Sequence, residues 1–255
     1  MVGHPKMTLS AVFSNRDVVR QYRHRAPYPD EVLTTLGRLL VTPRTILDVG
    51  AGTGALARRI VGFAERVDAV DPSAAMIHEG RRLAGGADRR LHWILGRAED
   101  APLSPPYGLI TAGASLHWLH LDVALARLRD ALAPDAVMAV ADTEIVHGPC
   151  RPELEAVIRD HSEIEHHTET PELMEDLDAS CRFAIQGRQR TKPVPFEQTI
   201  DDYIEMLHST STLARIRLGD RASRFDADIR AVFARHGLDR LRHGVVGVVI
   251  WGRPT

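Results

Sequence analysis

Three alternate glycines follow a short apolar strand in Ile46-Leu47-Asp48-Val49-Gly50-Ala51-Gly52-Thr53-Gly54-Ala55-Leu56-Ala57. No other stretch constrains the fold as much. Glycine tolerates the backbone angles of a sharp turn and lets bare main chain approach a ligand, so a strand running into such a turn and then a helix is the start of an α/β unit. The spacing is G-x-G-x-G, not the G-x-G-x-x-G of dinucleotide sites. Asp48 stands two residues before the first glycine. A carboxylate there would repel a pyrophosphate and would accept hydrogen bonds from an ammonium group.

The rest of the amino-terminal half repeats the alternation. Strands are expected at 45–49, 66–70, 91–95, 109–112 and 136–142, with helices from about Ala55, over 73–83 and over 121–132. Strands alternating with helices of that length form parallel βαβ units with right-handed crossovers. Ahead of them, 17–25 and 31–40 read as helices, the second capped by Asp30. After Asp142 the rhythm breaks into helices at 152–165 and 171–179, a strand at 181–189, helices at 199–207 and 225–236, and a final apolar strand at 243–251 that inserts antiparallel. The expected organisation is a helical cap over 1–44, a ligand-binding core over 45–145, a helical lid with strand 6 over 146–215 that selects the substrate, and a closing helix and strand over 216–255.

Composition removes several classes of function. Net charge is −2 with no long run of one sign, which excludes the broad basic face that nucleic acid requires. No apolar run approaches the ~20 residues that span a bilayer, and the amino terminus carries no signal-peptide core. Cys150 and Cys181 make neither a disulfide framework nor a metal quartet, which fits a reducing cytoplasm. The histidine-rich patch His161, Glu163, His166 and His167 does not place its ligands on one helix face, and no metal is expected there.

The charge logic of the glycine turn points to a cationic amino-acid nucleoside, S-adenosyl-L-methionine. Asp71, closing the second strand, can take both ribose hydroxyls, with Pro72 beside it. Met76, one turn into the next helix, is placed to lie against an adenine face. After the third strand, Gly96-Arg97-Ala98-Glu99-Asp100 offers the Ala98 backbone and the Glu99 carboxylate to the adenine edge.

Segments Ile46–Ala57, Ala69–Ser73, Gly96–Leu103 and Leu109–Trp118 resemble, in order and spacing, the four motifs of class I S-adenosylmethionine-dependent methyltransferases. The likeness is to the small-molecule branch that includes trans-aconitate-type enzymes. Arg25-Ala26-Pro27-Tyr28-Pro29 and Ser115-Leu116-His117-Trp118 match two further segments of that branch. The resemblance implies a Rossmann-like α/β fold with a seven-stranded, mostly parallel sheet, an antiparallel last strand and a helical lid. It implies that Gly50, Ala51 and Gly52 approach the methionine moiety and that Ala112 and Gly113 lie beside the sulfonium. One departure stands out: the family usually has an acid before the fourth strand, and this chain has Gly108.

Methyl transfer to a small-molecule acceptor is an in-line displacement in which positioning dominates. Aromatic faces stabilise a sulfonium, so Tyr22, Tyr28 and Trp118 are candidates for the pocket wall. His117, a few residues past the fourth strand, is the candidate general base. Ser115 and His147 are expected to face the pocket, and Tyr203 and His208 to line it from the lid. The rival readings are a non-catalytic scaffold of the same fold and a nicotinamide-dependent oxidoreductase, the second disfavoured by glycine spacing and by Asp48. A monomer or homodimer is expected.

Overall fold

The computed structural model describes residues 10–146, 150–162 and 169–255. His147, Glu163, His166 and His167 lie outside them. The chain divides into two compact units, one drawing on 1–26, 145–167 and 195–244, the other on 27–144, 168–194 and 245–255.

The second unit carries the alternation read from the sequence. Its parallel strands are β1 (Thr45–Val49), β2 (Arg66–Asp71), β3 (Leu91–Leu95), β4 (Tyr107–Gly113) and β5 (Leu132–Val146). They pair as β3-β2-β1-β4-β5, each neighbour in parallel register. Both faces are covered, so the central strands are apolar throughout. Leu47, Val49, Ile110, Ala112, Met138 and Val140 belong to one apolar layer; Ile46, Val67, Ala69, Leu109, Val137 and Ala139 belong to the opposite one. Each large side chain buried in this way contributes about 1.5–3 kcal/mol.

Helix α1 (Arg16–Gln21) lies in the first unit, and α2 (Asp30–Leu39) opens the second. Asp30 does not cap α2. Pro29 occupies that position, and Asp30 instead pairs with Arg59 at 2.5 Å. Between the strands run α3 (Ala57–Ile60), α4 (Ala74–Arg82) and α5 (Leu121–Ala131). Helix α3 is shorter than expected, because the glycine turn extends to Leu56 and a 3-10 turn takes over at Val61.

Beyond β5 come α6 (Arg151–His161), α7 (Thr170–Ala179), β6 (Phe183–Arg190), β7 (Val194–Thr199), α8 (Ile200–His208), α9 (Arg215–Leu218), α10 (Ala222–Arg235) and β8 (Arg240–Pro254). The sheet has eight strands, not the expected seven, and continues β5-β8-β6 with β7 also paired to β8. Strand β8 runs antiparallel to β6, as expected of the last strand. The extra strand β7 escaped the sequence reading because it holds Pro195 among largely exposed residues, and proline in a strand is tolerated only where its missing N–H is not needed.

The first unit has its own core. Leu154 of α6 meets Tyr203, Ile204 and Leu207 of α8 and Phe225, Ile229 and Phe233 of α10. A chain of polar contacts ties α1 to α8, α9 and α10: Gln21 donates to Glu205 at 2.8 Å, and Arg215 bridges Glu205 and Asp226 at 2.7 and 2.8 Å.

Among the described residues no helix is long and apolar enough to cross a membrane.

Candidate active site

The glycine turn leaves β1 with Gly50, Gly52 and Gly54 at φ +63°, +57° and +76°. Side-chain-bearing residues rarely take three left-handed angles in so short a span, which is why the alternation is glycine. Gly50 is under a second constraint. A Cβ there would stand 2.5 Å from the Cβ of Ser115. Ser115 is buried and its hydroxyl donates to the Val49 carbonyl at 2.7 Å. Its observed part is therefore to brace the turn from the loop after β4, and its hydroxyl is committed to main chain.

Asp48 lies beneath the turn at 1% exposure. Its Oδ1 accepts from the Thr111 hydroxyl at 2.7 Å, and the Ala57 backbone N–H also bonds to it. Burial pushes its pKa from 3.8 up to about 7, and the nearby Asp71 carboxylate adds to this, against the lowering effect of Thr111 and Ala57. A ligand cation brought near would pull the group back toward ionisation.

Asp71, at the end of β2, accepts from Gly52 N–H at 2.7 Å through Oδ2 and from Ser73 N–H at 2.8 Å through Oδ1. Burial raises its pKa, while these two amides oppose the rise. One carboxylate thus clamps the glycine turn to the β2 edge. Ala51 N–H adds a bond to the Val70 carbonyl at 3.0 Å. Ser73, not Asp71, is the side-chain cap of α4, accepting from Met76 N–H at 3.2 Å. Pro72 is exposed at this rim, and Met76 is buried at 2% exposure, so in this structure it is core.

After β3, Glu99 accepts from His120 N–H at 2.7 Å and is paired with Arg97 at 3.4 Å. Burial works to raise the Glu99 carboxyl, and the His120 amide and Arg97 outweigh it, holding it below its usual range. Arg127 of α5 donates to the carbonyl of buried Ala98 at 2.8 Å. The loops after β3 and β4 are therefore cross-tied by Glu99, His120 and Arg127. Neither His120 nor Arg127 was read from the sequence as tying these loops, because a bond spanning 21 or 29 positions leaves no local pattern.

Ala112 and Gly113 end β4. A Cβ on Gly113 would meet Leu56 at 2.8 Å and the Tyr28 hydroxyl at 2.9 Å. Tyr28 is thus brought to the strand end, its backbone carbonyl held by Arg59. Next comes Ala114 at φ +49°, a strained angle for a residue with a Cβ that costs on the order of 1–3 kcal/mol. The strain turns the chain into Leu116–Trp118, where His117 and Trp118 are partly buried with rings 4.7 Å apart and tilted by 51°.

Fifteen of the expected residues thus share the carboxyl edge of one parallel sheet or its supports, the place where α/β folds hold ligands. The remaining three described ones lie in the first unit. Tyr22 packs edge-on to Phe13 and carries the Arg25 guanidinium 4.0 Å above its ring. Tyr203 is 1% exposed and edge-on to Phe233, with burial raising its hydroxyl pKa. His208 has no exposed surface and both ring nitrogens engaged, with the Leu213 carbonyl and Asp226 each at 2.7 Å. The expectation that Tyr203 and His208 line a pocket is corrected: their side chains are core, because the apolar face of α8 that carries Ile204 and Leu207 carries them as well.

Residues 46–135 match the family model described as a methyltransferase domain. Two curated relatives are both malonyl-[acyl-carrier protein] O-methyltransferases. The one from Geobacter sulfurreducens is 35% identical over 116 residues, covering 44% of this chain and 43% of its own. The one from Anoxybacillus flavithermus is 32% identical over 84 residues, covering 32% of each. The chain thus matches less than half the length of these relatives. Among solved structures, one from Anaeromyxobacter dehalogenans assigned as a type II methyltransferase superposes with a TM-score of 0.61 at 24% identity, covering 90% of this chain and 97% of its own, a likeness of fold. With the glycine turn, the β2 acid and the β4 end arranged as above, the segment 46–135 that carries them is similar to a methyltransferase domain.

Proposed function

We propose that the chain moves a methyl group from S-adenosyl-L-methionine to a small-molecule acceptor. The observation that carries the reading is the clamp between Asp71 and the left-handed glycine turn, set over buried Asp48. The residues fit that cofactor: the glycines leave bare backbone where side chains would clash, and two buried carboxylates lie at the turn, where a ligand bearing positive charge would favour their ionised forms. Gly50, Ala51 and Gly52 would hold the methionine end, Asp71 the ribose, and Ala98 and Glu99 the adenine. When bound, the cofactor supplies an electrophilic methyl on a sulfonium. Ala112, Gly113 and the Tyr28 hydroxyl border the strand end where that methyl would be presented, and the Trp118 face adds cation–π attraction. A ring nitrogen of His117 takes the proton shed by the acceptor.

By name, the curated relatives act on a malonyl group carried by a protein. The acceptor here is a small group, free or carrier-bound, handled by a cytoplasmic protein. Both cysteines are free, in keeping with a reducing compartment.

Calorimetry with S-adenosylhomocysteine tests the reading. The wild-type chain binds it, and Asp71→Ala weakens binding by about 1.5–3 kcal/mol, through lost charge-assisted bonds to the ribose and a released Gly52. No heat with the wild type, or unchanged affinity in a folded D71A variant, would remove the assignment. His117→Ala should lower turnover by about 10²-fold or more while leaving S-adenosylhomocysteine affinity within a factor of about two. Equal losses in both would make His117 a structural residue and favour the scaffold reading.

A further inference from the structure

We propose that Thr111 is a positioning residue of the cofactor site: its hydroxyl holds the buried Asp48 carboxylate in the ionised form that attracts the ammonium group of the ligand. The proposal rests on the methyltransferase reading above and adds to it the residue that sets the charge of Asp48. Strand register brings the two together. Thr111 of β4 is paired with Asp48 of β1 on one side and with Ala139 of β5 on the other. Ala139 has no side-chain acceptor, and the Thr111 hydroxyl donates to Asp48 Oδ1 at 2.7 Å.

Packing alone does not call for a hydroxyl at this position. Thr111 has no exposed surface, and its neighbours along β4, Leu109, Ile110 and Ala112, are buried and apolar. Valine has the same branched shape and suits a buried strand at least as well. A hydroxyl taken out of water is costly unless it is bonded, and this one gives its hydrogen bond to a carboxylate.

That bond matters because Asp48 has no cation of its own: among the described residues no arginine, lysine or histidine pairs with it. Burial, together with the Asp71 carboxylate at the end of β2, opposes its ionisation. The Thr111 hydroxyl from β4 and the Ala57 N–H at the start of α3 support ionisation, and Thr111 has the larger effect. The balance lies at about 7, so one hydrogen bond decides the charge at neutral pH. Asp71, also raised by burial, takes its bonds from the Gly52 and Ser73 amides, and Thr111 is not among its partners. A change at position 111 therefore reads out on Asp48.

Calorimetry with S-adenosylhomocysteine between about pH 5.5 and about pH 8.5 tests the proposal. Wild-type affinity should climb with pH and level off near about 7. In Thr111→Val the climb should continue for about one pH unit more, leaving affinity about tenfold below wild type at pH 6 and close to it at about pH 8.5. Thr111→Ser keeps the hydroxyl and should level off where the wild type does. A loss in Thr111→Val that is the same at every pH, or a Thr111→Ser profile displaced like that of Thr111→Val, overturns the proposal and makes Thr111 a packing residue. Should T111V fail to fold, Thr111→Ala also removes the hydroxyl and is read in the same way. Wild-type affinity that ignores pH overturns this inference and leaves the methyltransferase reading standing. A wild type that binds at no pH overturns both.

Discussion

Asp48→Asn should make the ligand-free chain more stable at pH 8 and, at the same pH, a poorer binder of S-adenosylhomocysteine. Burial lifts the folded-state pKa of Asp48 from 3.8 to about 7. The folded chain therefore holds a proton that the unfolded chain has released between roughly pH 4 and pH 7. Stability falls as pH rises through that window and levels off above about 7. A shift of three units corresponds to at most about 4 kcal/mol. Asparagine keeps the bond from Thr111 and loses the one from the Ala57 amide, which takes back about 1–2 kcal/mol. A net gain of about 2 kcal/mol is expected at pH 8 and a loss of about 1–2 kcal/mol at pH 4, where the native carboxyl is neutral as well and only the lost Ala57 bond counts. Urea unfolding at the two pH values measures this, and equal stability of variant and wild type at pH 8 would refute it.

Binding should show the mirror image. An incoming ammonium favours the ionised form of Asp48, so wild-type affinity should climb about tenfold per unit as pH rises toward about 7 and then flatten. The Asp48→Asn chain should bind weakly, with that climb removed. An affinity in the wild type that ignores pH between 5.5 and 8 would show that the Asp48 charge does not act on the ligand.

The same residue shows what a sequence can and cannot disclose. The place of Asp48 before the glycines was legible, since strand, acid and glycine spacing are local patterns. Its partner Thr111 was not, because parallel pairing of β1 with β4 joins positions 63 apart. Asp71 was legible as a strand-end acid, yet its bond to Gly52, which makes turn and acid one unit, exists only in three dimensions. Ser115 was read as a residue near the ligand and proves to brace Gly50, a role that depends on two loops meeting. In α8 the helical period was plain, but period alone does not tell a buried histidine paired with Asp226 from one facing a pocket. The alternating half of the chain was the readable half, because hydrophobic pattern and crossover rules act there over short distances. Beyond Asp142, contacts span long separations, and strand β7 carries a proline where strands usually carry none.

Gly108→Ala should be strongly destabilising, and the reason explains why an acid expected near this position is missing. Gly108 lies inside β4, with the segment after α2 running directly across it. The Val41 amide donates to the Gly108 carbonyl at 3.2 Å. A Cβ on Gly108 would stand 2.0 Å from the Pro43 carbonyl oxygen and 2.1 Å from that of Val41. Both obstacles are main chain, so no rotamer change relieves them; either the 41–43 segment or the strand must shift. That shift would disturb the β4 register with β1, whose Ile46 pairs with Leu109 and whose Asp48 pairs with Thr111. Overpacking of a core commonly costs about 1–3 kcal/mol, and a clash with two fixed carbonyls belongs at or above the top of that range. Chemical denaturation should therefore show a loss of at least about 3 kcal/mol, with S-adenosylhomocysteine affinity falling in the same variant because Thr111 carries the strain to Asp48. A Gly108→Ala chain within about 1 kcal/mol of wild type would mean that the 41–43 segment yields freely, and that close backbone packing is not what keeps an acid from this position.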